Sequence, residues 1–155
     1  MAPKLGAEIH WIKGIDPVAD AFASTVTTDV FEVAGDGAVF LIYKGVGTTG
    51  TSTITVLACD DTTPSNTTAV PFWYRKATTG DTWGSWTAAT TAGFVTTAGS
   101  SQVYEIRVPA EHIGAAGYTY VQLKAVESVD AAVLGGILCG VYGLRYAPQP
   151  SSLID

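Results

Sequence analysis

Two stretches of the chain, residues 38–43 (AVFLIY) and 131–142 (AAVLGGILCGVY), have the content of β-strands yet carry apolar side chains at both parities. A two-layer sheet sandwich buries one face of each strand and wets the other, which writes alternation into the sequence. In the first stretch Ala38, Phe40 and Ile42 share one face, and Val39, Leu41 and Tyr43 share the other. The second divides into Val133, Ile137, Cys139 and Val141 against Leu134, Leu138, Tyr142 and Leu144. Two explanations fit: a central strand overlaid by a loop or terminal arm, or a subunit interface.

The rest of the chain sets the class. Its 155 residues make one domain, long enough to bury about two-thirds of the surface of the unfolded chain. Charged residues are only 14%, and Thr, Ala, Val and Gly fill the space, so the surface is neutral and threonine-coated. A net charge of −6 with no basic cluster excludes a module that grips a nucleic-acid backbone. The start, MAPKLGAEIHWIKG, has no apolar run of the secretory type, and no segment reaches the roughly 20 apolar residues of a membrane-spanning helix. A protein made and kept in a cytoplasm is expected. There, Cys59 and Cys139, both inside strand patterns, are expected as buried, unpaired thiols.

Residues 1–24 read as an N-terminal arm, 25–147 as the β-domain and 148–155 as a C-terminal tail. Within the arm, residues 9–12 suit a short strand. Asp16-Pro17 resembles an N-cap followed by Pro at the first helical position, predicting a turn or two of helix. Strands at intervals of about ten residues predict an all-β antiparallel sandwich of about 8–9 strands, jelly-roll-like or Greek key. They fall near 27–33, 38–44, 52–59, 70–77, 82–87, 93–96, 102–108, 118–127 and 132–142. Asp36-Gly37 predicts a tight hairpin between the first two, and residues 109–114 a helical turn closed by glycine. In 102–108, Tyr104, Ile106 and Val108 should face inward, with Val103, Glu105 and Arg107 on a wet side.

Reaction chemistry is sparse. His10 and His112 lie in separate contexts with no ligand spacing. Asp60-Asp61 with Ser65 and Asn66 offers oxygen ligands but not the spacing of a calcium loop. No serine sits in a nucleophile elbow, and neither Gly-x-Gly precedes a helix. No catalytic residue, cofactor or metal is expected. The best recognition surface is aromatic: Phe72, Trp73 and Tyr74 in one strand, then Trp83 and Trp86. Trp73 or Trp86 could instead fill the core. Three residues apart, Trp83 and Trp86 would point to opposite faces of a regular strand unless Gly84 marks a bulge.

Residues 42–128, through phrases such as ACDDTTP, PFWYR and AGYTYVQLKAVE, resemble small all-β virion proteins of tailed bacteriophages. The likeness is to the capsid decoration, cement or auxiliary head type. It implies a non-enzymatic protein that binds and stabilises the assembled lattice of the major capsid protein, as a homo-oligomer with a trimer favoured. It also implies a place on the capsid surface of the virion, after synthesis in the host bacterial cytoplasm. No functional residues carry over from the resemblance. On the residues themselves, Ile9, Trp11 and Ile12 of the arm and Trp83 and Trp86 are the candidate partner-binding positions. Two alternatives stand: a carbohydrate-binding module of a virion fibre or adhesin that stacks glycan on its tryptophans, and a head-to-tail joint or tail structural protein. Neither nucleic acid nor membrane is an expected partner.

Overall fold

In the computed structural model, which describes residues 9–144, the turn-punctuated stretches become thirteen strands and one short helix. Strand β1 is Ile9–Val18, followed by β2 Thr25–Thr27, β3 Phe31–Glu32, β4 Gly37–Gly47, β5 Thr51–Cys59, β6 Thr67–Val70 and β7 Phe72–Thr79. Then come β8 Thr82–Trp83, β9 Thr87–Ala89, β10 Phe94–Val95, β11 Gln102–Pro109, α1 Ala110–Ala115, β12 Tyr120–Val129 and β13 Val133–Tyr142. Seven strands form one sheet in the order β1-β13-β4-β11-β7-β8, with β9 also on β7. Six form the other in the order β10-β5-β12-β2, with β3 on β12 and β6 on β5. The fold is the all-β antiparallel sandwich the sequence predicts, with thirteen strands in place of about 8–9, because the expected strands 27–33, 70–77 and 82–87 each divide in two and the arm adds β1.

Alternation accounts for the core. Ile54, Val56 and Ala58 of β5 and Val121, Leu123 and Ala125 of β12 turn inward and are wholly buried. They meet Ala38, Phe40 and Ile42 of β4, Tyr104, Ile106 and Val108 of β11, and Ile137, Cys139 and Val141 of β13. Each large side chain buried this way contributes about 1.5–3 kcal/mol. Aromatic rings key the layers together: Phe31 against Phe40 at 5.6 Å, and Tyr74 stacked on Phe94 at 3.9 Å between centroids. Buried polar groups find partners. The Tyr104 hydroxyl donates to Gln102 Oε1 at 2.7 Å and accepts from the Thr97 amide at 2.8 Å. Lys44, buried at the end of β4, donates its ammonium to the carbonyls of Gly50 (3.1 Å) and Thr97 (2.7 Å), and burial pulls its pKa down.

Several local expectations are corrected. Asp36-Gly37 is not a hairpin: β3 and β4 lie in different sheets, and neither Gly35 nor Gly37 takes the positive φ such a turn requires. Asp36 instead donates its amide to the Tyr142 carbonyl (2.8 Å) and accepts from the Ala110 amide (2.9 Å), tying the dipeptide to the end of β13 and the start of α1. The expected strand 27–33 splits into β2 and β3 because the Thr28 hydroxyl accepts the Leu123 amide at 3.0 Å and interrupts the ladder. No helix follows Asp16-Pro17. Those residues end β1, an edge strand where a proline's missing N–H costs nothing.

The described part of the arm is therefore sheet. β1 runs antiparallel to β13, from Ile9 opposite Tyr142 to Lys13 opposite Leu138, then bulges twice before Val18. Ile12 is buried in the core rather than offered to a partner. Glycine makes the approach possible, since a Cβ on Gly14 would sit 2.7 Å from the Cys139 sulfur. Residues 1–8 of the arm and the tail 148–155 lie outside the described residues.

Two outcomes follow from this packing. Deleting residues 1–15 strips most of β1 and uncovers β13, so the melt should lose more than about 3 kcal/mol or its cooperativity; a cooperative melt close to that of the full chain would make β1 dispensable. Cys59 and Cys139 are free and buried, with their thiols pushed up to about 11 and about 12 by burial, helped at Cys59 by the charges of Asp60 and Asp61. A bulky thiol reagent should react with neither until the protein unfolds, and reductant should leave the melting temperature unchanged. Rapid labelling of the native protein would contradict this burial.

Candidate functional site: the outer face of the larger sheet

Register lines the outward side chains of the seven-stranded sheet into rows across neighbouring strands. One row runs Lys13, Leu138, Leu41, Glu105, Arg75 through β1, β13, β4, β11 and β7. The next runs Trp11, Gly140, Val39, Arg107, Trp73, and a third Gly136, Tyr43, Val103, Ala77, Trp83. Of the large apolar side chains that stay exposed, Trp11, Tyr43, Trp73, Trp83, Leu134 and Leu138 belong to this face.

Its first half is an apolar groove of about 490 Å³, walled by Leu41, Tyr43, Leu134 and Leu138 and rimmed by Ile15 to Pro17 at the bulged end of β1. Gly136 forms part of its floor, where a Cβ would meet the Ile15 carbonyl at 2.9 Å. This is where the second apolar parity of β4 and β13 goes. Tyr43 is 58% exposed and Leu138 48%, so no described segment overlays them. An apolar patch this continuous is a candidate interaction surface.

The second half is charged and aromatic. Arg75 places Nε 2.7 Å and Nη2 2.5 Å from Glu105 Oε2, while Arg107 places Nε 2.8 Å and Nη2 2.7 Å from Oε1. One carboxylate thus takes two forked guanidiniums, and they screen it to 10% side-chain exposure on what the sequence presents as a wet strand face. The Arg75 guanidinium lies 4.6 Å from the Trp83 ring and 4.7 Å from Trp86, and Arg107 lies 5.3 Å from Trp86 and 5.9 Å from Tyr142. Trp83 and Trp86 reach the same side because β8 ends at Trp83. The Gly84 amide then bonds to the Lys76 carbonyl at 2.9 Å, and the alternation is reset. Trp73 and Trp86 are exposed, not core.

The sequence candidates therefore divide. Trp11, Trp83 and Trp86 lie exposed, Ile9 is half-buried at the start of β1, and Ile12 faces the core. Arg75, Glu105 and Arg107 escaped the sequence reading as a site, although the shared parity of Glu105 and Arg107 was the available signal. The opposite outer face differs in character: Thr25, Thr27, Thr53, Thr55 and Lys124 line β2, β5 and β12, with Val95 and Val126 exposed among them. His112 contacts the Pro71 carbonyl through Nδ1 at 2.8 Å, and His10 lies on β1, in the other half of the sheet order. Asp60 ties its own loop, accepting from Ser65 and Asn66, and the Asn66 side chain foremost holds its carboxyl at about 2. Among the described residues no cluster of His, Cys, Asp or Glu is placed to hold a metal, and no helix is long and apolar enough to cross a membrane.

No protein-family model and no curated protein matches the chain. A solved structure of infectious bursal disease virus, Gx strain, is similar at 15% identity and a TM-score of 0.25, covering 91% of this chain and 46% of that one. The chain thus spans less than half of that chain's length, and so slight a likeness carries no argument about function.

The ion-pair geometry predicts a stability effect. Glu105→Gln leaves two guanidiniums adjacent without their shared anion, and should cost about 1–3 kcal/mol in a urea melt. The intrinsic tryptophan emission should shift as Arg75 leaves Trp83 and Trp86. An unchanged midpoint and spectrum would mean that solvent, not Glu105, balances the two cations.

Proposed function

We propose that this chain is a non-enzymatic structural protein of a phage virion, a capsid decoration or cement protein. It docks on the assembled lattice of the major capsid protein by the outer face of the seven-stranded sheet. The observation that carries this reading is the inequality of the two outer faces. One is lined mainly by threonine, with Val95 and Val126 exposed among them, while the other holds a continuous groove of leucine and tyrosine beside exposed tryptophans. The resemblance of residues 42–128 to phage virion proteins supplies the kind of partner.

The wider assignments follow from the same reading. A homo-oligomer, with a trimer favoured, would share the face between contacts to its own copies and contacts to the shell. A net charge of −6 favours neither nucleic acid nor an anionic membrane as partner. The protein would be made in the bacterial cytoplasm and reside on the capsid surface.

A second reading, glycan binding, has one observation behind it: Trp73, Trp83 and Trp86 are all exposed along one sheet margin. The arginines weigh against it, because guanidinium groups already lie over the rings of Trp83 and Trp86 that a sugar would stack on.

Particles lacking the protein provide the test. Mixed with them, the wild-type chain should co-sediment and raise the temperature at which they release their contents. Tyr43→Lys with Leu138→Glu should cut binding at least tenfold, while Thr55→Lys on the opposite face should leave it intact. A wild-type chain that stays in the supernatant but is retained by immobilised glycans would replace the decoration reading with the carbohydrate one.

A further inference from the structure

The charged half of the docking face is electrostatically unfinished. Arg75 and Arg107 bring two positive charges to one carboxylate, so the cluster carries a net positive charge on a chain whose overall charge is −6. A guanidinium has five N–H donors, and Arg107 spends two directions, Nε and Nη2, on Glu105. No other acceptor engages it among the described residues. Its side chain is 48% exposed, and it is held in place by Glu105, Trp86 and Tyr142 rather than free to search. Arg75, by contrast, is 28% exposed and enclosed by Trp83 and Trp86.

The geometry points to Arg107 as a docking point for a carboxylate of the partner, an Asp or Glu side chain on the protein shell the sheet covers. This deepens the proposed function and rests on it. Charge complementarity selects the occupant: a rigid, half-desolvated guanidinium with unspent donors in an acidic protein favours an anionic group. The register adds a spacing. Leu41 and Leu138 lie one and two strands from β11 in the row of Glu105, two residues along the strand from Arg107, so a partner filling the apolar groove has its carboxylate about 8–12 Å from its apolar anchor. A free inorganic anion lacks that second contact.

The experiment is co-sedimentation with particles lacking the protein, across a salt series, using the full chain. Arg107→Gln should weaken binding at least tenfold in low salt and flatten the salt dependence, and Arg107→Lys should recover part of both. Thermal melts of each variant check that Glu105, still paired with Arg75, keeps the fold. Wild-type binding that Arg107→Gln leaves unchanged in strength and salt dependence would overturn the carboxylate site while the decoration reading stands. Wild-type chain that binds no particle would overturn both.

Discussion

A two-layer sandwich has one interior. Each sheet can bury a single face against the other, and any strand apolar at both parities leaves its second set of side chains without an internal partner. β4 and β13 are such strands, adjacent in the middle of the larger sheet, and everything distinctive about the molecule follows from where their outward residues fall. Phe40, Ile42, Ile137 and Cys139 complete the core, while Leu41, Tyr43, Leu134 and Leu138 form an open groove. Among the described residues the fold is satisfied without covering that groove, which is why it is the surface proposed for association.

Glycine in β13 lets the edge of this sheet form. Gly136 lies where β1 bulges across it, and Gly140 sits opposite Trp11 with the Ile9 side chain 3.0 Å from where its Cβ would be. These residues make β13 poor as an isolated strand and well suited to close contact with a neighbour. β1 covers one flank of β13 and leaves the groove beyond it. On the far side of β4, the ladder of β11 and β7 fixes Glu105 between two arginines, and two tryptophans clamp one of these. The proposed docking face is therefore apolar at one end and cationic at the other, each part held by the sheet's own register.

The sequence made the fold class legible because alternation and turn chemistry are local. Val121, Leu123 and Ala125 face the core as their parity predicts, and the two cysteines are buried and free. It also made half of the site legible, since the double apolarity of residues 38–43 and 131–142 is the groove seen end-on. What stayed hidden depends on long-range pairing. Nothing near Asp36-Gly37 says that its partners are Tyr142 and Ala110, so the dipeptide has the signature of a hairpin it does not form. Nothing near Ile12 announces β13, so the edge strand β1 reads in the sequence as an arm with a short strand. The Arg75, Glu105 and Arg107 cluster needs the β7–β11 register, and the meeting of Trp83 with Trp86 needs the chain to leave the ladder at Gly84.

The central claim is that one face of the sandwich is a docking surface and the other is not. Hydroxyl-radical footprinting of the protein free and bound to particles reads both faces in one experiment. The account predicts that Tyr43, Leu138 and Trp86 become protected on binding, while Val95 and Val126 on the threonine-rich side keep their reactivity. Protection of Val95 and Val126 with Tyr43 and Leu138 unchanged would contradict it.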